Sequence, residues 1–534
     1  MYKNYAGKMI LSGFVIFLFF AACDNLVQSS DQYRLSYNGN GSDEGMPPVA
    51  AQVSPGAKVL TAVNSGYLTK DGYYFAGWNT QPDGKGTSYK PGRPLSLDGS
   101  MELYAHWVLG TADKKFHAVT TDNIWYMVEA KKLSENDCCI VYGDMNENID
   151  IKAAEAIAEE YKINIHNQIV GVFGYIAYTS DNGGKLILLL LDIIDGYDRS
   201  GGYVAGYFDS THMYIAPKSN QVAMLFMDVY PGDPAALKNF CTVVAHELQH
   251  LINFSSRKQK NTWINEGLSL AAEYIYGGEQ IIQRINYFNG KNTSIPYGNN
   301  FFVWDGYWEQ QYGDILPNYA TAYLFFRWLG IQAPNSNDIY ADIVDSSYSD
   351  YRAITESASS ITQEFYDWKI LLGTWMLANY YQKDTGLYGY KNQLKDDQQR
   401  KVTLTVQNIP SGGSLYPLFP GEGVFSSIPP GTSLSYTPVD NIYYVGLPAS
   451  TPPSPLIGPV PYFGKDLLSF NGNTNENGQS ENGYVASVSP GATEIGRNPV
   501  DRKNLGSLEV PPGNYPVDFR EMAKKNRSGG FNAP

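Results

Sequence analysis

The stretch PAALKNFCTVVAHELQHLINF, Pro234 to Phe254, has no proline or glycine after its first residue, and its apolar positions recur at helical spacing. One uninterrupted helix is expected there, carrying His246, Glu247 and His250. Residues at i and i+4 share a helix face with Cβ atoms about 5–6 Å apart, so the two imidazoles can converge on one ion. The chain has only six histidines in 534 residues. Whatever else it builds, the fold must therefore give this face a partner that suits two imidazoles and a carboxylate. The competing reading is a solvated helix face that bears these three side chains.

A second helix is expected over WINEGLSLAAEY, after the polar turn SSRKQKN. As an antiparallel neighbour it brings Glu266 back toward the histidines. Glu273, two turns further on the same face, can then accept a hydrogen bond from a ligand imidazole and fix its tautomer. Both acids stand in otherwise apolar turns, where a buried carboxylate without a partner is costly. Zinc accepts nitrogen at about 2.0–2.1 Å and, in catalytic sites, takes three protein ligands and leaves a fourth position for water. His246, His250 and Glu266 are thus the candidate ligands of one Zn2+, and Glu247 is the candidate general base.

HELQH followed on the next helix by NEG is similar to gluzincin metallopeptidases, whose third ligand is a glutamate on that helix, and WINEGLSLAAEY resembles the matching segment of their aminopeptidase branch. The spacer here is shorter than that branch usually has. With GGKLILLLLDI, VAGYF and FYDWKILLGTWMLANYY, it more closely resembles the hyicolysin-type neutral metallopeptidases, over roughly Phe116 to Tyr381. The resemblance implies a zincin-like domain, an α+β half followed by a helical half, that hydrolyses peptide bonds. It also implies that Tyr319, in PNYATAYLFF, holds the oxyanion; the alternative is a core tyrosine in an aromatic helix. Upstream, SNQVAMLFMDVY is expected to form the sheet edge that pairs with an extended peptide, through Asn220, Gln221 and Ala223. Asn220 and Gln221 stand where the aminopeptidase branch has an acidic residue for the substrate's free amine, so an endopeptidase is expected over an aminopeptidase. A catalytically inactive surface adhesin is the remaining alternative.

The rest of the chain frames this unit. Lys3 and Lys8 precede the apolar run MILSGFVIFLFFAA, too short and wrongly flanked for a membrane span, so residues 1–22 are expected to be a secretory signal. Phe20-Ala21-Ala22-Cys23 resembles a lipoprotein cleavage box. That implies lipid on Cys23, a linker over residues 23–32 and export to the bacterial cell envelope, with plain secretion as the alternative. Cys138, Cys139 and Cys241 are then an odd set, expected as buried free thiols.

Between Tyr33 and Val108, short β-prone runs alternate with glycine turns. GYYFAGWNTQPDGKGTSY and LYAHW resemble a β-grasp-like bacterial surface repeat, with Tyr73, Phe75, Trp78, Tyr104 and Trp107 expected in its core. Residues 116–232 read as the α+β half and 233–400 as the helical half. Residues 401–510 form a β-rich region and 511–534 a loose tail. The whole is a multidomain α+β chain.

TSDNGGKLI resembles a calcium loop but lacks the full run of alternating oxygen ligands. A turn before a strand is expected there, and Ca2+ stays a second candidate ion. A net charge of −14 argues against nucleic-acid partners. The expected partners are a protein or peptide substrate and, through the lipid, a membrane.

Overall fold

The computed structural model describes residues 32–178, 183–197, 199, 203–278, 280–290, 295, 301 and 316–405, together with the backbone of three later strands. Residues 1–22, Cys23 and residues 511–534 lie outside the described residues, as do Thr179 to Asn182 of the calcium-loop candidate. Its Gly183–Gly184 pair forms a turn just before a strand.

The first module contains β1 (Tyr33–Asn38), β2 (Ala51–Val53), β3 (Lys58–Leu60), β4 (Tyr73–Asn79), β5 (Ser88–Tyr89), β6 (Pro94–Ser96) and β7 (Met101–Leu109). Five of these form a sheet in the order β2-β1-β7-β4-β5, while β3 pairs with β6. Alternation along β7 turns Leu103 and Ala105 inward onto Leu35, Phe75 and Trp78, and Trp107 packs against that core. Tyr104 falls on the outward phase and donates its hydroxyl to Glu102, and Tyr73 is 38% exposed at the start of β4. Those two tyrosines, expected inside, are surface residues for that reason.

The second sheet contains β8 (Lys114–Val119), β9 (Trp125–Glu135), β10 (Cys139–Asp144), β11 (Leu186–Leu191), β12 (Gly206–Tyr207) and β13 (Met224–Asp228), in the order β12-β13-β11-β10-β9-β8. β10, β11 and β13 are mutually parallel, and β8, β9 and β12 run antiparallel to their neighbours. LILLLL of β11 is buried at every position, as a central strand covered on both faces requires. Leu186, Leu188 and Leu190 face the helices; Ile187, Leu189 and Leu191 face a second core that includes Val63 of the first module.

The first module is thus fastened to the sheet rather than strung from it. The Phe75 N–H donates to Glu129 at 2.9 Å, Asn146 donates to the Phe75 carbonyl at 3.1 Å, Lys90 pairs with Glu147, and Arg93 pairs with Asp192.

SNQVAMLFMDVY corrects an expectation. It forms β13, an interior strand between β11 and β12, and the edge is β12. Met224 to Asp228 is apolar at all but its last position, which suits burial on both faces rather than one. Asn220 instead clasps β8, accepting from the His117 N–H at 2.8 Å and donating to its carbonyl at 2.9 Å. Gln221 lies in a turn at φ 54°, and the Ala223 carbonyl accepts from Ile187.

α1 (Ile151–Glu160) is capped by Asp150 and runs through a π turn at Tyr161–Ile165 into α2 (His166–Phe173). There follow α3 (Leu237–Ser255), α4 (Thr262–Gly277), α5 (Ile282–Asn289), α6 (Leu316–Gln332), α7 (Asp338–Asp345), α8 (Tyr351–Ala358) and α9 (Trp368–Tyr381). α4 stops at Gly278, whose φ of 68° is a left-handed cap that glycine adopts without strain. α6 is buried from Pro317 to Gln332 and packs on α4 as a core helix, mostly apolar but with Asn318, Thr321, Arg327 and Gln332 buried along it. None of these helices is long and apolar enough to cross a membrane. Beyond them, β14 (Gly423–Ile428), β15 (Tyr443–Leu447) and β16 (Gly483–Val488) pair antiparallel in the order β14-β16-β15.

Gly267 decides how closely α6 approaches α4, because a Cβ at that position would overlap the Phe326 ring. Gly267→Ala should therefore destabilise the fold by about 1–3 kcal/mol through overpacking. Denaturant unfolding measures this, and an unchanged midpoint would show that Phe326 can yield.

Candidate metal centre

Three pairs of contacts set the two central helices against each other: His246 with Glu273, His250 with Ser269, and Asn253 with Asn265. The numbers rise on one helix as they fall on the other, so α3 and α4 are antiparallel. Asn253 locks the end nearest the turn by donating to Asn265 Oδ1 at 2.6 Å. From there the 3.6-residue repeat brings His246 and His250 over Glu266, and the donor atoms of these three side chains all lie within 4.8 Å of one another.

The donor set fits a tetrahedral cation. His246 Nε2 stands 3.4 Å from one Glu266 oxygen and His250 Nε2 stands 3.7 Å from the other. Ligands at zinc distances are separated by about 3.4 Å in a tetrahedron. Glu266 is 0% exposed, with its carboxylate set between the two imidazoles and the Tyr319 hydroxyl. Burial alone would raise its carboxyl, but the His250 and His246 imidazoles and the Tyr319 hydroxyl on α6 hold it below the usual range. A carboxylate kept ionised and dry needs a positive charge beside it.

Both imidazoles are held from α4. His246 Nδ1 donates to Glu273 at 2.7 Å, which leaves Nε2 facing Glu266. Ser269 Oγ lies 3.1 Å from His250 Nδ1 and 3.4 Å from its Nε2, against the edge of the ring, and that hydroxyl donates to Gln249 at 2.7 Å. Ser269 and Gln249 were not among the sequence candidates. The available signal was position: Ser269 lies between Glu266 and Glu273, one turn from each, on the face that meets α3.

Glu247 points toward the sheet edge. The Phe208 N–H donates to its carboxylate, and β12 packs so tightly here that a Cβ on Gly206 would stand 3.2 Å from Glu247 Cγ. Burial, followed by the Glu266 charge, outweighs His246 and pushes the Glu247 carboxyl up to about 8. For His246, burial is outweighed by the hydrogen bonds to Glu266 and Glu273, and the ring is lifted to about 10. Tyr319 is buried at the same site with the Arg284 guanidinium 4.7 Å above its ring.

Residues 33–106 match the family model of the Listeria-Bacteroides repeat domain. The chain carries this repeat. It is also 31% identical over 286 residues to the neutral metalloprotease ShpI of Staphylococcus hyicus, an alignment that covers 50% of this chain and 62% of that protein. Two proteins of Evansella cellulosilytica, named as a Gly-rich membrane protein and a membrane protein, are 32% and 33% identical over 91 and 85 residues, which cover 17% and 16% of this chain and 10% and 13% of theirs.

The remaining sequence candidates stand elsewhere. Asn220 binds β8, Gln221 is an exposed residue before β13, and Ala223 is buried against β11, as described above. Cys139 and Cys241 are buried free thiols and Cys138 is partly buried. His106, His117, His166 and His212 take no part in the cluster.

If Glu273 aims His246, Glu273→Gln should leave the fold intact and weaken zinc affinity by about 10- to 100-fold. Competition with a chromophoric chelator reads this out, and unchanged affinity would assign Glu273 to packing alone.

Proposed function

We propose that the chain is a zinc-dependent endopeptidase, with His246, His250 and Glu266 as metal ligands. The observation that carries this reading is the ionised, buried Glu266 facing two imidazoles, with the far nitrogen of His246 already engaged by Glu273. The similarity to a neutral metalloprotease supports it independently. Bound zinc would supply a Lewis acid that polarises the peptide carbonyl and acidifies the attacking water.

The chain's own groups do the rest. Glu247 takes the water's proton and passes it to the leaving amine, while the Phe208 N–H keeps its carboxylate in place. The Tyr319 hydroxyl donates to the developing oxyanion without adding charge to the cleft. Glu273 and Ser269 hold the imidazoles, so no ligand must reorganise during turnover.

β12, buried at both of its residues, is the sheet edge beside Glu247 among the described residues, so an extended peptide would pair there rather than on β13. With Asn220 bound to His117 and Gln221 exposed before β13, the preference for an endopeptidase rests on the resemblance drawn from the sequence. Peptides blocked at the N-terminus separate the two peptidase readings, because an aminopeptidase leaves them intact. Export with lipid on Cys23 completes the proposal, and placement of the repeat at the cell surface follows from it.

Glu247→Gln should lower casein or peptide cleavage by about 10²–10⁴-fold while zinc stays bound. A fully active variant would remove Glu247 from the mechanism, and cleavage that a chelator leaves unchanged would remove the metal.

Zinc binding is also coupled to protons. Without a cation, His246 at about 10 and Glu247 at about 8 both hold a proton at pH 7. Loading zinc displaces the proton on His246 and favours ionised Glu247, so roughly one to two protons should be released per ion at pH 7. The release should shrink as pH rises, first through about 8 and then through about 10. An indicator dye in weak buffer measures it, and zero release at pH 7 would contradict the assigned charges.

A further inference from the structure

Two tyrosines one turn apart on α6 are held in different ways. Tyr323 is fastened through its hydroxyl, which accepts from the Ile281 N–H at 3.1 Å and donates to Gln280 Oε1 at 2.6 Å. Tyr319 meets Arg284 instead, whose guanidinium lies 4.7 Å from the centre of its ring. Gln280 and Ile281 thus pair with Tyr323 and Arg284 with Tyr319, so α5 lies antiparallel along α6 and both contacts belong to one interface.

An aromatic face attracts a cation within about 6 Å of its centre, more strongly where water is excluded. Tyr319 is 1% exposed and Arg284 is partly buried. Among the described residues no carboxylate pairs with Arg284. A planar guanidinium also stacks on a ring in a way that an ammonium does not.

The two modes of attachment leave the hydroxyls in different positions. A phenol oriented through its hydroxyl, as Tyr323 is, has that group committed to the fold. A phenol oriented through its face keeps the hydroxyl turned to the site, and the Tyr319 hydroxyl lies against the Glu266 carboxylate. An oxyanion donor has to stand about 2.7–3.1 Å from the place where charge develops, so a small tilt of this ring is costly.

We propose that Arg284 is a positioning residue for Tyr319: its guanidinium fixes the phenol ring from the face and so keeps the hydroxyl aimed at the metal centre. The effect on catalysis rests on the peptidase reading. The contact itself does not.

Fluorine NMR reads the contact without activity. With a single fluorotyrosine at position 319 of the full-length, metal-free chain, the resonance should move in Arg284→Gln, and move less in Arg284→Lys, which keeps the charge. A resonance that neither variant moves overturns the proposal.

Kinetics on the zinc-loaded chain, with a peptide blocked at its N-terminus, read the consequence. Arg284→Gln should lower kcat by about tenfold and leave KM and zinc affinity unchanged, with a smaller fall in Arg284→Lys. Placed on Tyr319→Phe, which keeps the ring and lacks the hydroxyl, Arg284→Gln should cause no further loss.

An unchanged kcat in Arg284→Gln overturns the proposal. So does an equal loss in both backgrounds, which assigns Arg284 to packing between the helices, or a rise in KM alone, which assigns it to the substrate. If the resonance moves as expected and the unmodified chain cleaves no peptide, the peptidase reading fails while the hold on Tyr319 stands.

Discussion

A fully buried carboxylate stays ionised only with positive charge or strong donors against it, and Glu266 imposes that condition on the two imidazoles and the Tyr319 hydroxyl around it. α3 and α4 have to be antiparallel and in one register for two imidazoles to reach it. Gly267, the next residue, has to be small so that α6 can close over the pair and bring Tyr319 in. The long apolar α6, buried throughout, belongs to the same arrangement: it keeps solvent from the back of the site.

The sheet serves the site from the other side. Its parallel centre, β10, β11 and β13, is a rigid floor covered by helices on one face and partly by the repeat on the other. The short antiparallel β12 is the strand of this sheet that meets Glu247. Because the repeat is bonded to Glu129, Glu147 and Asp192, it shares the frame of this sheet. That distinguishes it from a flexible tether.

Much of the site was legible in the sequence because helices convert spacing into geometry. His246, His250, Glu266 and Glu273 fall on facing stripes once two adjacent helices are granted, and the structure brings all four together. Ser269 escaped because serine in a helix has many uses, and only the facing helix shows that its hydroxyl meets His250. The edge strand was misread for a related reason. Strand order is set by non-local pairing, and an apolar pentapeptide such as Met224–Asp228 does not announce which neighbours it has. The two-residue β12 that holds the edge carries almost no pattern. The aromatic core of the repeat followed alternation except at Tyr73 and Tyr104, where a strand end and an outward phase prevailed.

An X-ray absorption spectrum at the zinc edge, recorded on zinc-loaded full-length protein, addresses the metal centre most directly. One zinc per chain is expected, with a first shell of two imidazole nitrogens and light oxygen donors at about 2.0–2.2 Å, and with loss of the carboxylate contribution in Glu266→Ala. A spectrum showing sulfur ligands, a single imidazole, or no change on Glu266→Ala would contradict the assignment of these three side chains.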